Sequence, residues 1–197
     1  KVEKFSQLLA EIKSKKVDDT TSFKQRFYFI EGKIEKNQFG GNYNFLTINL
    51  GKNDSISNEM AVINSKGILG ITEHVSNNYS RVQSILNRNS KINARLKNSS
   101  YFGSLMWNGI DYNILQLLDI PRQAIIKSGD TIVTGGMSTI FPAGIPIGKV
   151  IDTEEGSSIK RIVNIQLFND MSNLKNIYVI KDFDKHEIMN LENNRNE

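Results

Sequence analysis

The stretch IKSGDTIVTGGMSTIFPAGIPIGKV (residues 126–150) decides how the rest of the chain is read. Two short apolar runs, one ending at Ile132-Val133 and one spanning Ile145 to Val150, are separated by Gly135-Gly136 and Pro142-Ala143-Gly144, and Gly129-Asp130 precedes the first run. Only glycine enters the φ > 0 region at little steric cost, so these glycines mark turns. A phosphate-cradling loop is the competing reading, but the spacing is not G-x-G-x-x-G and no Gly-Lys-Ser follows. Short apolar runs punctuated by glycine and proline turns point to an all-β unit. Pro121, Pro142 and Pro146 all lie in this half of the chain, where they stiffen connections and blunt sheet edges.

Working outward, the same order of segments occurs once before. Tyr101-Phe102-Gly103-Ser104-Leu105 echoes Ile30-Glu31-Gly32-Lys33-Ile34, and Asn113 to Leu117 echoes Asn44 to Ile48. The run from Ile126 to Val133 stands where Ile56 to Ile63 stands, Gly144 to Val150 loosely matches Gly67 to Ile71, and Arg161-Ile162-Val163 matches Ser80-Arg81-Val82. The offset grows from about 70 to about 80 residues, because the second copy has a longer turn from Met137 to Pro142. A repeat this long is a whole small domain. About six short strands in each copy suit a closed barrel, which leaves no exposed edge. Leu46, Ile48 and Leu50 alternate with polar residues as a half-buried strand does. Val163, Ile165 and Leu167, followed by Ile177, Val179 and Ile180, supply the closing strands. The expected organisation is a first barrel over residues 24–90, a second over 91–181, and a polar tail over 182–197 that frays. Residues 81–96 are ambiguous: Val82, Ile85, Ile92 and Leu96 fit a helix, while Asn87-Arg88-Asn89-Ser90 divides the segment into two strands.

Ahead of the barrels, Val2, Phe5, Leu9 and Ile12 fall on one helical stripe, and residues 1–22 read as a short helix and a polar linker. The stripe spans less than two heptads, so it is either the end of a longer coiled coil that pairs two copies or a helix packed on its own domain.

Composition narrows the function. The 197 residues carry a formal charge of +4, with the basic residues scattered, which does not make a nucleic-acid arm. The absence of cysteine excludes disulfides, thiolate metal sites and cysteine nucleophiles. No stretch reaches the ~18 apolar residues of a membrane span, and His74 and His186 are in no metal-ligand spacing, so no metal or cofactor is expected. Tandem small barrels raise the possibility of a chymotrypsin-like serine protease with lost or residual activity. Ser128-Gly129-Asp130 and Gly135-Gly136-Met137-Ser138 are, however, not the Gly-Asp-Ser-Gly run that builds the nucleophile and oxyanion hole. A non-enzymatic scaffold that binds other proteins fits better. Its candidate partner face comes from the aromatics of the second unit, Tyr101, Phe102, Trp107, Tyr112 and Phe141. Trp107, beside the Asn108-Gly109 turn, is the first choice for a half-exposed anchor. A glycan- or small-ligand-binding module is a third reading, and it needs those aromatics to form an exposed platform.

The run from Ile126 to Gly136, with the Phe141-Pro142-Ala143-Gly144-Ile145-Pro146-Ile147-Gly148-Lys149-Val150 run after it, resembles the signature of the bacterial rod-shape-determining MreC family, G-D-x-V-V-T-S-G followed by F-P-x-G-I-P-V-G-x-V. Gly129, Asp130, Gly135, Gly136, Phe141, Pro142, Gly144, Pro146 and Gly148 carry the match, with Gly135 where the family commonly has serine. The resemblance covers roughly residues 27–181. It implies two six-stranded barrels of the chymotrypsin-like type without catalytic activity, and a coiled-coil helix that ends at Val2 to Ile12. It also implies a single membrane anchor upstream of Lys1 and a location on the periplasmic side of the inner membrane. The implied partners are a second copy of the chain in a homodimer or larger oligomer, a class B penicillin-binding transpeptidase, MreD and, indirectly, MreB. It further implies that residues 81–96 are two strands joined by a turn.

Overall fold

The computed structural model describes residues 26–156 and 160–193. Among the described residues, twelve strands are followed by one α-helix: β1 (Phe27–Asn37), β2 (Tyr43–Ile48), β3 (Ala61–Ile63), β4 (Ile68–Val75), β5 (Ser80–Asn87), β6 (Ile92–Leu96), β7 (Phe102–Met106), β8 (Ile114–Pro121), β9 (Thr131–Thr134), β10 (Pro146–Glu155), β11 (Lys160–Leu167), β12 (Asn176–Asp182) and α1 (Lys185–Asn193). They close into two barrels of six strands each, with neighbours in the order β1-β2-β5-β4-β3-β12 in the first and β7-β8-β11-β10-β9-β6 in the second. The two cyclic orders superimpose: β7 takes the place of β1, β8 of β2, β9 of β3, β10 of β4 and β11 of β5. Each echo seen in the sequence falls on an equivalent pair of strands.

The sixth strands break the expected boundary. β6, which follows β5 along the chain, closes the second barrel between β7 and β9. β12, which follows β11, closes the first, with Tyr178 opposite both Glu31 of β1 and Ile63 of β3. Residues 176–181 therefore complete the first barrel, whereas the reading along the sequence assigns them to the second. Alternating Ile177 and Val179 specify a strand with a buried face, but alternation carries no information about which sheet the strand joins. Each half of the chain lends its last strand to the other half. The crossing segment is tied down: Met171 is buried, its carbonyl accepts a hydrogen bond from Asn37 Nδ2 at 2.8 Å, and Asn169 Nδ2 donates to the Ile68 carbonyl at 3.2 Å.

Residues 81–96 form two strands with a turn between them, β5 and β6, which belong to different barrels. The apolar residues of both barrels make one continuous core, from Leu46, Ile48 and Leu50 in the first to Leu115, Leu117 and Ile165 in the second. Gly70 and Gly148 occupy equivalent strands, and a Cβ there would lie 2.2 Å from the Gln83 carbonyl oxygen and 2.1 Å from that of Gln166. Glycine is required at both places because the neighbouring backbone occupies the side-chain position.

The polar tail was expected to fray, but α1 forms within it. Lys185 Nζ donates to the Glu59 carbonyl at 2.8 Å, and Arg26 pairs with Asp182 at 2.8 Å at the foot of the helix. The helix and linker expected over residues 1–22, with the stripe of Val2, Phe5, Leu9 and Ile12, fall outside the described residues.

Candidate functional site

The second barrel's outer face over β7, β6 and β9 is built from the strand register. Phe102 stands opposite Arg95, and Arg95 opposite Val133, so these three share one row, in which Val133 is buried, while Ile92, Ala94 and Leu96 point into the core. Arg95 Nη1 donates to the carbonyls of Leu96, Lys97 and Ser99 at 3.0–3.2 Å, which fixes the β6–β7 turn. The Tyr101 amide donates to Ser99 Oγ at 3.1 Å. The turn thus delivers two adjacent aromatics to the surface, Tyr101 at 37% exposure and Phe102 at 36%. Gly135 lies against the Phe102 ring: a Cβ there would sit 2.9 Å from Phe102 Cδ1 and 1.8 Å from Asn93 Oδ1. Asn93 fills the space a serine side chain would need. Met137, two residues on, is 70% exposed.

The signature residues hold this face rigid. Thr134 Oγ1 donates to the Pro142 carbonyl at 2.6 Å and accepts from the Ile145 amide at 2.9 Å, which locks the Phe-Pro turn onto β9. Gly136, at φ +79°, turns the chain out of β9 in a region closed to most side chains. Asp130 Oδ2 accepts from the Lys127 amide at 2.8 Å and shapes the Gly129-Asp130 turn. A rigid backbone that presents two aromatics and a methionine can bind apolar surface with little loss of conformational entropy.

The five aromatics expected to form a partner face separate. Tyr101 and Phe102 are on the face just described. Tyr112 lies where the barrels meet, packed edge-to-face on Phe39 with ring centroids 5.7 Å apart. Trp107 is only 5% exposed: its loop folds over it, and the indole Nε1 donates to the Asp111 carbonyl at 2.8 Å. Phe141 is 3% exposed and wedges between the barrels, lining a cleft with Ile71 of the first barrel. A turn position next to Asn-Gly does not guarantee exposure when the turn closes on its own aromatic. With Trp107 buried, the glycan platform loses its main support. Met137 went unnoticed in the sequence; its one signal is a large apolar residue inside a long turn.

His74 is exposed on β4, with Nε2 3.7 Å from Glu73 Oε1. Ser138 Oγ accepts from the amides of Ile140 and Phe141 at 3.4 and 3.5 Å, as a turn-forming hydroxyl does. Among the described residues no imidazole is hydrogen-bonded to a serine hydroxyl, and no cluster of histidines and carboxylates could hold a metal.

Fold and site together define a double-barrel module with a preformed, exposed aromatic surface. The family model "Rod shape-determining protein MreC, barrel core" matches residues 34–181, and the chain belongs to that family. It is 29% identical over 146 residues to the cell shape-determining protein MreC of Bacillus subtilis, covering 68% of this chain and 50% of that protein. The Streptococcus pneumoniae protein of the same name is 25% identical over 140 residues, covering 68% and 52%. The chain therefore spans about half the length of the curated relatives it matches. A solved structure of MreC from Listeria monocytogenes superimposes with a TM-score of 0.75 at 21% identity, covering 92% of each chain. MreC in a complex with the penicillin-binding protein PBP2 from Helicobacter pylori superimposes with a TM-score of 0.62 at 15% identity, covering 80% of this chain and 99% of that one. Among the described residues no helix is long and apolar enough to cross a membrane.

Proposed function

We propose that this chain is the double-barrel part of a cell-shape scaffold that organises the peptidoglycan elongation machinery by holding wall synthases and by self-associating. The observation that carries the reading is the exposed aromatic pair Tyr101 and Phe102, held by the turn that Arg95 fixes, with exposed Met137 two residues beyond the Gly135 that packs on the Phe102 ring. The partner bound there is a class B penicillin-binding transpeptidase, in keeping with the Helicobacter pylori relative's complex with PBP2. MreD and, indirectly, MreB complete the assembly. The stripe of Val2, Phe5, Leu9 and Ile12 pairs two copies, and the barrels work on the periplasmic side of the membrane from an anchor upstream. The barrels are of the chymotrypsin-like type and have no catalytic task.

The test is binding of the full chain to the soluble part of the organism's own class B transpeptidase, measured by biolayer interferometry. Replacing exposed Phe102 by serine and Met137 by aspartate should weaken binding by about thirtyfold or more, the effect of losing a hot spot of about 2 kcal/mol. Circular dichroism should be unchanged. Undiminished binding by a folded double variant would refute the assignment of this face.

A further inference from the structure

The chain's only two histidines, His74 and His186, meet in a groove on the first barrel, away from the face assigned above. The groove runs between α1 and the segment 56–59 and encloses about 780 Å³. It continues into a second cleft of about 330 Å³ that ends against Thr139 and Ile140 of the other barrel. Lys52, Lys185, His74 and His186 line the larger space, and Glu59 is its one carboxylate among the described residues. That carboxylate already faces Lys185, with Nζ 3.4 Å from Oε2. Ile56 and Val75 from the barrel and Met189 from the helix add apolar surface, and Asn58 and Asn190 add carboxamides able to bond a peptide backbone.

The helix itself is informative. α1 has nine residues and none is buried, whereas isolated helices shorter than about 12–15 residues are marginal in water. It is anchored at its first turn by Lys185 and gains little packing from its own fold.

The geometry points to this groove as a docking site for an extended acidic peptide, aspartate or glutamate alternating with aliphatic residues, from a partner protein. Charge complementarity carries the choice of occupant: in the larger space Lys52 on the barrel wall and Lys185 on the helix wall face one carboxylate, Glu59, which Lys185 already engages. At about 1.5 Å per residue the helix wall is about 13 Å long, which matches about four residues of extended chain. A flat anionic bilayer would meet only the rim. The chain's own N-terminal segment, with Lys13, Lys15 and Lys16, has the wrong charge.

The test uses the full chain and a dye-labelled hexapeptide of alternating aspartate and leucine, with a lysine–leucine hexapeptide as control. The acidic peptide should give saturable fluorescence anisotropy that weakens with salt, and amides 186–193 should gain hydrogen-exchange protection. The double substitution Lys52→Glu with His186→Glu, both at exposed positions, adds two negative charges to the groove and should weaken binding about tenfold or more. Absence of saturable binding, equal binding of the basic peptide, or indifference to the double substitution would overturn the proposal. So would co-sedimentation with phosphatidylglycerol vesicles that the double substitution abolishes, since this would reassign the groove to a membrane.

Discussion

Replacing Ile177 by alanine tests the exchange of closing strands directly. Ile177 is fully buried on β12, the strand held between β1 and β3. Emptying such a site costs about 2–5 kcal/mol, the transfer free energy of the lost atoms plus the cavity they leave. At about 1.4 kcal/mol per factor of ten, amides that exchange through local opening of this barrel should do so about thirtyfold to several-thousandfold faster. The loss should be concentrated on residues 28–32 and 61–63, which are nearly 150 and more than 110 positions away in sequence. The mirror variant is Leu96→Ala on β6, buried in the second barrel opposite Ile132. Its effect should fall on 102–105 and 131–134 and spare β1 and β3. Native-state hydrogen exchange read by mass spectrometry resolves the two patterns. If Ile177→Ala deprotects β9 and β10 while β1 and β3 stay unchanged, the exchange is wrong and the barrels are contiguous along the chain.

The remaining predictions concern other links. A chain cut between Lys97 and Ser100 should stay assembled through size-exclusion chromatography, because each fragment supplies one strand of the other's barrel; fragments that separate as folded monomers would contradict the topology. The Asp119 carboxyl is held below the usual carboxylate range, chiefly by the hydrogen bond from Lys160 Nζ at 2.7 Å. Its folded-state pKa is thus depressed, so its contribution to stability is present above the ordinary carboxylate pKa and disappears as pH falls through the folded value. Lys160→Gln should move the Asp119 titration upward in a carboxyl NMR experiment, and an unmoved midpoint would refute that pairing. Trp107→Phe removes the indole bond to the Asp111 carbonyl and should cost about 1 kcal/mol in urea denaturation, with transpeptidase binding unchanged. A large binding loss with wild-type stability would restore Trp107 as a partner anchor.

Sequence alone determined most of the strands, their repeat and the family. Alternation at Leu46, Ile48 and Leu50, the glycine turns, and the paired echoes from Ile30–Ile34 to Arg161–Val163 are local patterns, and period and turn chemistry are written in consecutive residues. The Phe141–Val150 run was equally legible, because its turn demands particular residues at fixed spacing. Three matters needed the tertiary structure. The pairing of β12 with β1 and β3 depends on which open edge lies nearby, and every half-buried strand carries the same pattern. The burial of Trp107 and Phe141, against the exposure of Tyr101 and Phe102, depends on which loop folds over which ring. The meeting of His74 and His186 beside α1 depends on the chain returning to the first barrel after building the second, which no spacing between the two histidines could announce.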